Sequence, residues 1–199
     1  MQINIDKKSG IFLSIIAVLL LMLGFMASNR DGNPFEWFNH MGMNSDDEQS
    51  SFSNNLQGSD VMFAQMMIPH HEQAIEMSDI ALLNTTNPDL LELAQEIKSA
   101  QSPEIEVMKG WDGVKTSTHA GHMMDGMLSE KELSELREAK GKEFDALFLQ
   151  GMIKHHEGAI VMAQAVVNSK NKAVADLATS IINAQEMEIA KMKELLLNS

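Results

Sequence analysis

The chain has 199 residues, 28 Asp and Glu against 15 Lys and Arg, and a net charge of −13, with 44% hydrophobic residues. That acidity argues against nucleic acid as the main partner, since phosphate backbones select Lys and Arg, and the apolar fraction fits neither a disordered chain nor a multi-span membrane protein. There is no Cys, which excludes disulfides, thiolate metal sites and Cys nucleophiles, yet there are 17 Met and 7 His.

The first segment is a signal or an anchor. Residues 11–27, IFLSIIAVLLLMLGFMA, form an unbroken apolar run preceded by Lys7 and Lys8. The run is at the short limit of a membrane-spanning helix. A cleaved signal peptide is the alternative, but cutting after Ala27 or Ser28 leaves Phe25 or Met26 where signal peptidases prefer a small residue. We therefore expect residues 1–28 to act as an uncleaved signal-anchor. The paired lysines hold the N-terminus in the cytoplasm, so the rest of the chain is expected outside. Residues 29–56, rich in Asn, Asp, Ser and Gly, are expected to be a flexible linker. Within it, Asn-His-Met-Gly-Met offers His40, Met41 and Met43.

The remainder, 57–199, contains an internal repeat. DVMFAQMMIPHHEQAIEMSD (60–79) aligns with DALFLQGMIKHHEGAIVMAQ (145–164) at an offset of 85. The identities include Asp60/Asp145, Phe63/Phe148, Met67/Met152, His70/His155, His71/His156, Glu72/Glu157 and Met77/Met162. A second block follows at an offset of 84, in which Ile97, Gln101, Glu104, Ile105 and Met108 match Ile181, Gln185, Glu188, Ile189 and Met192. Each repeat (57–115 and 142–199) is two segments joined by a turn. All four segments carry apolar residues at helical spacing, as in Phe63, Met67, His70, Ala74 and Met77. Pro69 is expected to kink the first helix and free the carbonyl of Gln65.

Between the repeats, residues 116–141 hold His119, His122, Met123, Met124 and Met127. The Ser129-Glu-Lys-Glu132 capping box then opens a short helix. A crossover of that length can travel along a whole helix, which predicts an all-α, ferritin-like four-helix bundle with pseudo-twofold symmetry.

If the first helix covers about 57–84 and the third about 142–168, His70 and His155 lie at their midpoints. The two His-His-Glu triplets should then meet mid-bundle. His71 and His156 point about 100° away from them. They either flank the centre or pair with Glu104 and Glu188. Glu72 and Glu157 are expected at the solvent or behind the histidines. Imidazole and thioether donors together suit Cu(I) and Ag(I). The competing account makes Met and Ala ordinary core, because Met fills irregular gaps. Enzyme motifs fail on spacing. Met67 and Ile68 stand where a di-iron Glu-x-x-His would need Glu, and Ile75 stands where a zinc His-Glu-x-x-His would need His. The two His/Met-rich linkers are expected to bind copper as flexible donors.

The duplicated pattern Phe-x-x-x-Met-Ile-x-His-His-x-x-Ala-Ile-x-Met resembles the bacterial family known as domain of unknown function 305, over about residues 57–197. The resemblance implies an exported ferritin-like bundle, and some members resemble periplasmic copper-binding proteins with Met and His ligands. Carried onto this chain, the implied ligands are Met67, His70, His71, Met77, Met152, His155, His156 and Met162. The expected function is extracytoplasmic Cu(I) sequestration or transfer, with metal ions and envelope copper-handling proteins as partners. The alternatives are a non-metal helical module of the cell envelope with a Met-rich core and, third, a redox enzyme with an unusual metal centre. One test follows from the N-terminus alone. A reporter active only in the cytoplasm, fused after Ser199, should be silent; activity would reverse the topology.

Overall fold

The computed structural model describes residues 56–115 and 124–198. Among these residues there are five α-helices and no strands: α1 (Gly58–Asn84), α2 (Pro88–Lys109), α3 (Glu130–Glu138), α4 (Gly141–Gln164) and α5 (Lys172–Asn198). None of these helices is long and apolar enough to cross a membrane. The expected anchor at 11–27 and residues 29–55 of the expected linker at 29–56 lie outside the described residues.

Local chemistry sets the helix ends. Gln57 donates its backbone N–H to Oδ2 of Asp60 at 2.8 Å, satisfying a donor at the entry to α1. Asn87 caps α2, its Oδ1 accepting from the Asp89 N–H at 3.1 Å, and Pro88 starts the helix where no N–H is needed. Asn171 caps α5 in the same way through the Ala173 N–H, also at 3.1 Å. The Ser129–Glu132 capping box forms as its spacing predicts. Helix α1 runs through Pro69 without interruption. Helix α4 ends at Gln164, short of the expected 168. There Ala165 and Val166 donate to the carbonyls of Met162 and Ala163, the tighter three-residue pattern that often closes a helix.

Helices α1 and α2 pack as one hairpin, α4 and α5 as the other, and the hairpins join mainly through α1 against α4. Two apolar clusters result. One joins Met77, Ala81, Leu93 and Ile97 to Phe144, Phe148, Met152 and Met192, with Leu133 and Leu136 of α3. The other joins Phe63, Met67, Ile68, Ile105 and Met108 to Ala159, Ala163, Ala178 and Ile181. The C-terminal half of α1 therefore meets the N-terminal half of α4, so the two run antiparallel. Each fully buried Phe, Leu or Met contributes roughly 1.5–3 kcal/mol. Each of the four long helices has a gap between the clusters near its middle. On α1 the gap holds His70 and His71, on α2 Gln101 and Glu104, on α4 His155 and His156, on α5 Gln185 and Glu188. A polar belt thus crosses the middle of the bundle.

One side chain ties α3 to the hairpins. The Asn84 amide donates to the carbonyls of Leu136, Arg137 and Ala139 at 3.3, 3.0 and 3.1 Å, and Lys140 donates to its oxygen. These are carbonyls that the end of α3 would otherwise leave unpaired. Asn84→Ala should lower stability by about 1–3 kcal/mol, the cost of orphaned buried acceptors. Urea unfolding followed by circular dichroism measures it, and an unchanged midpoint would dismiss the clasp.

Candidate metal centre

The belt is built around two rings. His70 on α1 and His155 on α4 are fully buried, and their ring centroids lie 3.7 Å apart at an interplanar angle of 40°. Antiparallel packing of two mid-helix residues puts them at one level. Neither ring nitrogen of His155 has a partner, nor has Nδ1 of His70. Buried polar atoms are almost always hydrogen-bonded, so three orphaned nitrogens in one place call for an explanation.

His71 and His156 are also fully buried, and of the two expected placements they take the pairing with glutamate. His71 Nε2 lies 2.9 Å from Oε2 of Glu104, and His156 Nε2 lies 2.6 Å from Oε2 of Glu188. Glu72 and Glu157 face solvent, opposite Lys109 at 3.3 Å and Lys193 at 3.4 Å. Gln101 and Gln185 matched in the sequence without a role. In the structure both are buried, and none of their side-chain amide atoms has a partner.

A short strap, residues 124–128, closes the belt from one side. Gln73 holds it twice, donating to the Leu128 carbonyl at 2.9 Å and accepting from the Leu128 N–H at 2.7 Å. The Asp125 carbonyl oxygen lies 3.3 Å from Nε2 of His70. Backbone meets backbone at two glycines. Gly126 has φ +87°, and a Cβ there would sit 2.7 Å from the Lys154 carbonyl oxygen; a Cβ on Gly158 would sit 2.1 Å from that of Asp125. Only glycine permits this approach. Nothing local in the sequence marks the contact, because its two sides are 32 positions apart.

Of the expected thioether ligands, Met67, Met77 and Met152 are fully buried, in the apolar clusters that flank the belt. Met162 is half-buried against the second cluster. Met124 and Met127 stand half-buried on the strap rather than in a loose loop. His40, Met41, Met43, His119, His122 and Met123 lie outside the described residues. Among the described residues, no three of His, Asp or Glu converge as a ligand set. A metal here needs thioether donors or a small rearrangement of the imidazoles.

Burial, and then the neighbouring His71, hold the His70 imidazole down to a pKa of about 3, against the pull of the Asp125 carbonyl. Burial, followed by His70, His156 and His71, pushes His155 well below the ordinary histidine value, against a weaker pull from the His70 backbone. Both rings are therefore neutral at any ordinary pH and offer lone pairs without competition from protons.

Residues 60–196 match the family model Domain of unknown function (DUF305), and the chain belongs to that family. A candidate secreted DUF305 protein from Streptomyces coelicolor is similar in structure, with 31% identity and a TM-score of 0.66 over 70% of this chain and 93% of that one. A DUF305 fragment from Deinococcus radiodurans has 27% identity and a TM-score of 0.65, over 72% and 98%. CopM in its Cu(II)-bound form has 34% identity and a TM-score of 0.62, over 72% and 99%, and it is also known in Cu(I)-bound and Ag-bound forms. The Uncharacterized protein L153 of Acanthamoeba polyphaga mimivirus is 43% identical over 53 residues, 26% of this chain and 35% of that protein. The chain thus matches about a third of the length of that curated relative.

The neutral pair has a consequence for acid stability. An unfolded His binds a proton near pH 6.5, whereas folded His70 refuses one until about pH 3. The unfolded chain then holds more protons, so the stabilisation is complete above pH 6.5 and is lost as pH falls towards 3. Metal-free protein should lose up to about tenfold in its folding equilibrium per pH unit for each such group. The slope of unfolding free energy between pH 7 and 4 should be shallower in a His70→Ala, His155→Ala double variant; equal slopes would refute the assignment.

Proposed function

We propose that this chain is an extracytoplasmic copper-binding protein that sequesters or passes on Cu(I) through His and Met side chains. The observation that carries this reading is the close, tilted His70–His155 pair, fully buried with three ring nitrogens unpartnered. Left empty of a ligand, such a group costs stability; with a metal it is satisfied. The ligand set in this reading is drawn from Met67, His70, His71, Met77, Met152, His155, His156 and Met162. Imidazole with thioether, and no thiolate, is the donor chemistry that favours Cu(I) and Ag(I) over Zn(II) or Fe(II). CopM, which is similar over nearly its whole length, binds copper and silver.

In the same reading, the apolar run behind Lys7 and Lys8 holds the bundle outside the cytoplasm, with residues 29–56 as its tether. The His/Met segments at 39–43 and 119–127 supply further copper donors. One observation favours the second reading, a Met-rich core without metal: Met67, Met77 and Met152 sit inside the apolar clusters rather than in the polar belt.

Titration separates the two. The full chain is titrated separately with Cu(I), Ag(I), Zn(II) and Fe(II), and thermal unfolding is followed. Cu(I) and Ag(I) should stabilise most, by about 2.7 kcal/mol at a hundredfold excess over Kd. His70→Ala with His155→Ala should remove most of that gain and leave the metal-free protein nearly as stable, since three unpartnered buried nitrogens are gone. The core reading requires the reverse: no metal-dependent shift, and a loss of metal-free stability from two cavities.

A further inference from the structure

Glu104 and Glu188 occupy matching positions in the two repeats, each on the helix behind a buried histidine. Each touches one ring nitrogen, Nε2 of His71 at 2.9 Å and Nε2 of His156 at 2.6 Å. A carboxylate has no proton to give, so the ring nitrogen is the donor in both contacts. A neutral imidazole carries a single N–H. With that hydrogen on Nε2, the lone pair lies on Nδ1. In both histidines Nδ1 is buried and has no partner. A charged imidazolium would instead carry hydrogen on both nitrogens, leaving Nδ1–H as a buried donor without an acceptor.

The same logic reaches a third ring. The Asp125 carbonyl, 3.3 Å from Nε2 of His70, also only accepts, and Nδ1 of His70 is again buried and unpartnered. Three histidines thus take one tautomer, imposed by acceptors from α2, α5 and the strap.

We infer that Glu104 and Glu188 are positioning residues of the copper centre: they fix the Nε2–H tautomer of His71 and His156, making Nδ1 the atom each gives to the metal. This rests on the copper reading above and specifies its donor atoms. As a metal draws density from Nδ1, the Nε2–H grows more acidic and its bond to the carboxylate strengthens, which makes the ring a better ligand. The carboxylates keep 16% and 17% side-chain exposure while the rings keep none, so the negative charge stays partly hydrated and its burial penalty low.

The test uses the full chain in detergent, with nitrogen-15-labelled histidine. In the metal-free wild type at pH 7.5, long-range proton–nitrogen correlation spectra should show hydrogen on Nε2 and none on Nδ1 for His71 and His156. In the E104Q/E188Q double variant the amide can present either its oxygen or its NH₂ to the ring. The tautomers should then mix, and Cu(I) affinity, measured by competition with a chromophoric chelator, should fall about 10–100-fold. A purely structural ion pair would change the melting temperature of the metal-free chain without changing the tautomer. If the double variant fails to fold, E104Q and E188Q are made singly, each expected to mix the tautomer of its own histidine alone. Hydrogen on Nδ1 in the wild type overturns the inference. So does wild-type Cu(I) affinity in the glutamine variants, which would leave the copper reading intact. A wild-type chain that binds no Cu(I) overturns the copper reading and this inference with it.

Discussion

Four fully buried imidazoles lie in the middle of this bundle, and the rest of the structure is arranged around that fact. Desolvation keeps His70 and His155 neutral and opposes their protonation. A neutral ring still has two polar nitrogens to satisfy. The protein meets part of the demand with Glu104, Glu188 and the Asp125 carbonyl, all acceptors, and leaves one nitrogen on each of three rings and both on His155 without a partner. The two glutamines at the same level add further unmatched donors and acceptors. Such a belt is unfavourable by itself. It persists because the apolar clusters on either side, with Phe144, Phe148 and Leu93 fully buried in one and Ile181 in the other, supply the stabilisation that holds the helices together.

Much of this could be read from the sequence because it was written twice. The offsets of 85 and 84 identify four helices, their pairing and their midpoints without any knowledge of contacts. Helical periodicity separates His70 from His71, and the recurrence of Glu104 at Glu188 offers each as a partner for the nearer histidine, one of two placements that the sequence leaves open. The methionines were legible as a face but not as a ligand set, since a thioether on an apolar stripe packs equally well as core.

What could not be read is what happens once. The strap depends on Gly126 and Gly158 meeting across the crossover, and on the Gln73 side chain reaching the backbone of Leu128. These are contacts between distant positions with no periodic signature. Asn84 closing α3, and the early stop of α4 at Gln164, are set by three-dimensional neighbours and by local turn geometry in the same way. The identity Gln101/Gln185 was visible, but its meaning was not, because whether a glutamine is buried depends on how closely two hairpins approach.

The strap also has a consequence for symmetry. Two fused copies of a hairpin can be equivalent in sequence, but a single polypeptide has only one connection to run between them. It can cross only one edge of the shared centre. In this molecule the strap offers the Asp125 carbonyl to Nε2 of His70 and makes no hydrogen bond to the ring of His155. The two rings occupy matching positions of the repeat and carry the same chemistry, yet only one is hydrogen-bonded to the strap. Chain connectivity alone therefore gives the centre a direction, a covered flank and an opposite one, without any change in the histidines themselves.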